Sequence, residues 1–184
     1  TNQWEDGRTR YYCVVKNQEI FFFFYLDLEG ADWKHELSKS NDDVDGIQVL
    51  IGNSTTFPEG LDKVFENLTG IYYQNMKLKE IDGSDLKPFV DLEYLNLANN
   101  NLEVIGSELF EFNQKLVYLD LSSNEIQHIN VHAFQNLSNL NTLILNDNNC
   151  MDAFLSARNN SAIVKRIIKR ISLCDTGSRN FFPW

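Results

Sequence analysis

Residues Leu92–Leu102 read LEYLNLANNNL, and the spacing of the leucines in that stretch decides the fold. Leu95 and Leu97 are two apart, which in a short strand sends both side chains to the same face. Leu92 and Leu102 flank the pair, and Asn100 falls in the turn after it. The arrangement returns 24 residues on as LVYLDLSSNEI from Leu116, and again as LNTLILNDNNC from Leu140. One interval back stands LTGIYYQNMKL from Leu68, and another reaches VDGIQVLIGNS from Val44, with Val44, Ile47 and Val49 in the same columns. Five units at one period are the signature of stacked coils.

A single coil cannot bury its own apolar face, so neighbouring coils bury it for one another. Asn100, Asn124 and Asn148 recur after each strand, where an amide can donate to and accept from the backbone of adjacent coils and so build a ladder. Gly52 and Met76 take that place in the first two coils, which confines the expected ladder to the last three. Phe65, Phe89, Phe110 and Phe134 recur ahead of the next leucine and are expected to stack on the convex side. Asp82-Gly83-Ser84 and Gly106-Ser107-Glu108 supply turn residues between strands.

Both ends of such an array need covers. After Cys150, Ile163, Val164, Ile167, Ile168 and Ile171 fall at helical spacing, with Lys165, Arg166, Lys169 and Arg170 opposite. This predicts a capping helix over the last coil, with Cys150 and Cys174 joined; closing that loop stabilises by a few kcal/mol. A basic amphipathic helix that meets a membrane or an acidic partner is the competing use of the same pattern. At the other end, YYCVV and the aromatic run IFFFFYL, Ile20 to Leu26, read as the two strands of a capping hairpin. The 24-residue frame extended back from Val44 puts Ile20, Phe23 and Tyr25 in the strand columns. The run is far short of the roughly 20 apolar residues that span a bilayer, so membrane insertion is not expected.

The chain has a formal net charge of −10, which argues against nucleic acid, since a phosphate backbone calls for clustered Lys and Arg. Residues 1–150 carry 10 basic and 24 acidic side chains, whereas residues 151–184 carry 6 and 2. Four N-x-Ser/Thr sequons, at Asn53, Asn67, Asn136 and Asn159, point with the repeats to an extracellular, secreted and glycosylated protein. No signal peptide is visible at Thr1, so the chain would be a mature form. Cys13 is left over: it pairs with another chain to give a homodimer or heterodimer, stays a buried thiol, or has a partner upstream.

The outward strand positions line the concave face. Tyr72, Asn96, Asp120 and Ile144 occupy the middle column, Gln74, Ser122 and Asn146 the next, and Tyr94 and Tyr118 stand just before. These residue types suit adaptable recognition, and they are the candidate partner-binding set. The sequons fall outside these columns. No nucleophile motif, phosphate-cradling loop or CxxC pair occurs. His128 and His132 form an H-x-x-x-H pair in a between-strand segment rather than on a helix, so no metal, cofactor or catalytic residue is expected.

The L-x-x-L-x-L-x-x-N-x-L units are identified as leucine-rich repeats. With Tyr12-Cys13-Val14-Val15, the Gly30…His35…Asp43-Val44 stretch and Asn148-Asn149-Cys150 opening the C-terminal cap, the chain resembles the secreted leucine-rich-repeat proteins of insects, among them the mosquito leucine-rich-repeat immune proteins. The expected fold is an α/β solenoid, a horseshoe of five 24-residue coils with an N-terminal β-hairpin cap and a C-terminal helical cap. Its divisions are residues 1–43 for the N-terminal cap, 44–150 for the repeats, 151–175 for the helical cap and 176–184 for a tail. The resemblance implies an extracellular binding protein of innate immunity whose partner is another repeat protein or a complement-like factor. It lacks the long C-terminal coiled coil of the immune proteins, so their pairing mode does not carry over unless Cys13 substitutes for it. A receptor or adhesion ectodomain, and a self-associating structural protein, are the alternatives.

Overall fold

The structure is a computed structural model that describes residues 2–3, 9–10, 12–15, 41–49 and 52–156. Strands β1 (Asn2–Gln3) and β2 (Thr9–Arg10) pair antiparallel. The main sheet contains β3 (Tyr12–Val15), β4 (Gly46–Val49), β5 (Gly70–Tyr73), β6 (Tyr94–Asn96), β8 (Tyr118–Asp120), β10 (Thr142–Ile144) and β11 (Phe154–Ser156). A small lateral sheet joins β7 (Val104–Ile105) to β9 (His128–Ile129). Two one-turn helices, α1 (Leu61–Val64) and α2 (Gly83–Leu86), and a 3-10 turn at Val131–Phe134 lie between the strands.

From β4 to β10 the strands run parallel, and each register step is the 24 residues of the sequence repeat, as in Ile47 beside Ile71, Leu95 and Leu119. Their inward side chains, Ile71, Leu95, Leu119 and Leu143 with Leu97, Leu121 and Leu145, are fully buried. At roughly 1.5–3 kcal/mol for burying each such side chain, these columns dominate the favourable side of folding.

The asparagine ladder forms where expected. Asn100 Nδ2 donates to the Tyr73 and Leu97 carbonyls at 2.8 and 3.0 Å, and its Oδ1 accepts from the Met76 and Leu78 amides at 3.1 and 3.0 Å. Asn124 and Asn148 repeat this, reaching back to the Leu97 and Leu121 carbonyls. Met76 is fully buried and joins the ladder through its backbone alone. The residue just before each ladder position, Asn75, Asn99, Ser123 and Asp147, has φ of 57°, 56°, 52° and 57°. Asn and Asp tolerate this left-handed turn better than most side chains, which explains the polar residues found there.

The four phenylalanines are all buried but do not form one stack. Phe65 and Phe89 share one column, while Phe110 and Phe134 belong to another three residues earlier in the coil, with rings 5.7 Å apart. Asn113 fills the first column in the third coil. It is fully buried, and its Nδ2 donates to the carbonyls of Leu86 and Phe89 at 3.0 and 2.8 Å.

The two ends depart from the sequence reading. Tyr12–Val15 is a parallel neighbour of β4, with Cys13 beside Ile47 and Val15 beside Val49. It therefore holds the strand place that the repeat frame assigned to Ile20, Phe23 and Tyr25. The reason is that a parallel ladder fixes strand register but not the length of the connection, so the 24-residue interval does not bind the first step. The IFFFFYL strand itself lies outside the described residues. At the other end the segment expected to begin a helical cap opens instead on β11, antiparallel to β10, with Leu155 opposite Leu143. The chain turns back there because Leu145 N donates to the Ala153 carbonyl at 2.7 Å. The predicted helix over Ile163–Ile171, Cys174 and the 176–184 tail lie outside the described residues.

Candidate binding face

Strand alternation sends the candidate residues to the side of the sheet opposite the leucines, and the structure divides them in two. Tyr72, Gln74, Ser122, Ile144 and Asn146 are half-buried and reachable. Tyr94, Asn96, Tyr118 and Asp120 are 3%, 5%, 7% and 8% exposed. The expectation that Tyr94 and Tyr118 are exposed recognition aromatics is corrected: they stack on each other, ring centroids 6.1 Å apart and planes 23° from parallel.

A polar network ties this floor together. Asp120 Oδ1 accepts from Ser122 N at 2.9 Å and from Ser122 Oγ at 2.6 Å. Asp120 Oδ2 accepts from Asn96 Nδ2 and from the Tyr118 hydroxyl, both at 3.3 Å. Asn96 Oδ1 in turn accepts from the Ala98 amide at 2.9 Å. Asp120 and Asn96 thus have the same role in successive coils, each taking the amide two residues on. The periodicity showed that these side chains face outward; it gave no sign that they would lock to one another.

The edges of the coils carry features the sequence reading passed over. Thr69 Oγ1, Lys115 Nζ and Asn139 Nδ2 each reach one coil back, to the Asp45 carbonyl, the Asp91 carboxylate and the Gln114 carbonyl. On the opposite edge Asn101 Nδ2 donates to Glu125, and Asn149 Nδ2 to the Glu125 carbonyl. The sequence signal was the 24-residue recurrence of polar side chains at 91, 115 and 139 on one edge and at 101, 125 and 149 on the other.

Asn53, Asn67 and Asn136 are exposed, while Asn159 lies outside the described residues. Asn67 Nδ2 donates to the Asp42 carbonyl at 2.8 Å. Cys150 packs against the hydrophobic core and is disulfide-bonded, to a cysteine that is not among the described side chains. His128 and His132 are both exposed, one on β9 and one on the 3-10 turn, and no cluster of three metal-ligating side chains occurs among the described residues. No helix among the described residues is long and apolar enough to cross a membrane.

Comparison with known proteins agrees with this architecture. Residues 90–149 match the leucine rich repeat family model. No curated protein matches the chain. Among solved structures, TLR13 in its complex with ssRNA13 superposes with a TM-score of 0.55 at 23% identity, over 58% of this chain and 15% of that one. Toll, from the Toll–Spatzle complex of Drosophila, gives a TM-score of 0.49 at 22% identity, over 58% of this chain and 18% of that one. The chain thus spans less than a fifth of either. The fold is a leucine-rich-repeat solenoid built on a parallel sheet.

Proposed function

We propose that this is an extracellular binding protein of insect innate immunity that recognises another protein through its concave face and catalyses nothing. One observation carries the reading: a reachable rim of Tyr72, Gln74, Ile144 and Asn146 surrounds a floor already fixed by its own hydrogen bonds and ring stack. Such a surface binds without first having to order itself, which lowers the entropic cost of association. The exposed sequons at Asn53, Asn67 and Asn136 lie off the strands, so glycans there would leave the face clear.

TLR13 is seen with ssRNA, but the outward strand columns of this chain hold no Lys or Arg for a phosphate backbone. A protein is the better partner, and within the insect reading another repeat protein or a complement-like factor. Pairing of Cys150 with Cys174 would fix the C-terminal cap and leave Cys13 available for a bond between chains.

Capture of partners from an insect extracellular fluid tests the proposal. Combined Tyr72→Ala, Gln74→Ala and Ile144→Ala substitutions are expected to abolish capture of a partner that Glu111→Ala, on an exposed part of the back, leaves intact. Loss with the Glu111 variant and retention with the triple variant would reject the concave face.

A further inference from the structure

Three columns of side chains point outward along the five repeat strands, and they hold a single charged residue, Asp120. The cations of the coils, Lys63, Lys77, Lys79, Lys87 and Lys115, all stand between the strands. Asp120 is 8% exposed, and the four donors that reach its carboxylate are neutral. Their lengths are uneven: Oδ1 takes bonds of 2.6 and 2.9 Å from Ser122, while Oδ2 is left with two of 3.3 Å. Among the described residues no cation pairs with it.

A carboxylate withdrawn from water without a counter-ion is costly, and a charge-assisted hydrogen bond offsets that cost better than neutral donors do. The two long bonds at Oδ2, from Asn96 Nδ2 and the Tyr118 hydroxyl, are the ones such a donor would displace or share. Resting on the concave-face reading above, we infer that the partner is a basic protein segment that presents a lysine or arginine side chain to Asp120. The surrounding neutral columns then make the contact selective, because one fixed negative charge in an uncharged face specifies where the cation must sit.

The test uses the full chain with fluorescently labelled octa-arginine and octa-glutamate peptides, read by anisotropy, with hydrogen exchange to locate binding. Octa-arginine is expected to bind and protect amides of residues 94–98 and 118–122, and octa-glutamate is not. Asp120→Asn should weaken octa-arginine on the order of tenfold or more. Ile144→Lys sets a cation directly beside Asp120 in the neighbouring strand, at a half-buried position, and should weaken binding at least as much. It keeps the test decisive should Asp120→Asn fail to fold. Glu111→Gln should change nothing. Equal loss in Glu111→Gln would reduce the effect to diffuse attraction and overturn the inference, as would unchanged binding in both concave variants. A native partner that needs the Tyr72–Gln74–Ile144 rim yet ignores Asp120→Asn and Ile144→Lys would overturn the cationic contact and leave the concave reading standing. Protection confined to the back of the coils would overturn both.

Discussion

A β-carbon built on Gly83 would lie 2.6 Å from the carbonyl oxygen of Glu108. The glycine that opens α2 is therefore what lets the second coil lie against the backbone of the third. Neither atom can yield cheaply, since the obstruction is main chain. Gly83→Ala is expected to destabilise by about 1–3 kcal/mol, the cost of overpacking a close contact. Urea unfolding followed by circular dichroism measures it, and a variant as stable as the parent would show that the coils separate freely there.

Asn100 is the most completely engaged rung of the ladder. Replacing it with Ala takes their partner from the Met76 and Leu78 amides and the Tyr73 carbonyl, while the Leu97 carbonyl keeps its bond from Asn124 Nδ2. With about 1–3 kcal/mol lost for each buried group left unpaired, Asn100→Ala should cost about 3 kcal/mol or more. Asn148, half-buried in the last coil, should cost less when changed alike. Equal costs from the two denaturation midpoints would contradict a ladder held more firmly at Asn100 than at its last rung.

Tyr94 and Tyr118 behave as members of the scaffold. Tyr118→Ala should destabilise by about 3 kcal/mol, in line with losing a large buried side chain. Tyr118→Phe keeps the stack and removes the hydroxyl that donates to Asp120, costing about 1 kcal/mol. Thermal melts of the two variants that coincide would mean the ring contributes nothing beyond its hydroxyl.

Asp82 caps α2. Its Oδ1 accepts from Ser84 N and Ser84 Oγ at 2.7 and 2.6 Å, and its own amide donates to Asp85 Oδ2 at 2.9 Å. The Ser84 hydroxyl and amide hold the Asp82 carboxyl below its ordinary value. A folded pKa under the unfolded one contributes stability above the unfolded pKa and loses it as pH falls through the folded value. Asp82→Ala should accordingly cost about 1 kcal/mol at neutral pH, with the difference from the parent closing in strongly acidic solution. Asp85 is shifted upward by its partial burial, the opposite sense, so the comparison of parent with the Asp82 variant is what isolates the cap. A difference that stays constant from neutral to acidic pH would exclude the carboxylate as its source.

The coil period was legible because Leu95, Leu97, Leu119 and Leu121 repeat an inward pair whose spacing only a short strand produces. Asn100, Asn124 and Asn148 were legible too, since one residue type at one position per coil needs a structural use. The seat of Tyr12–Val15 was not, because a longer connection leaves no periodic trace. Nor was the reversal at Phe154–Ser156, which depends on a turn rather than on any repeat. The binding face was half visible: alternation told that Tyr94, Asn96, Tyr118 and Asp120 face away from the leucines. Whether such residues remain open depends on what their neighbours one coil away do, and the ring stack and the Asn96–Asp120 bond are contacts between coils that no single coil encodes.

The pairing of β11 with β10 also bears on growth. Every parallel strand is a template for one more like itself, and a stack of identical units has no inherent length. An inverted strand on the last repeat breaks that symmetry, since a further coil of the same polarity finds no matching donors and acceptors on β10. Residues 154–156 interrupt the parallel series, and they cover the edge of β10 that would otherwise stand open to strand pairing.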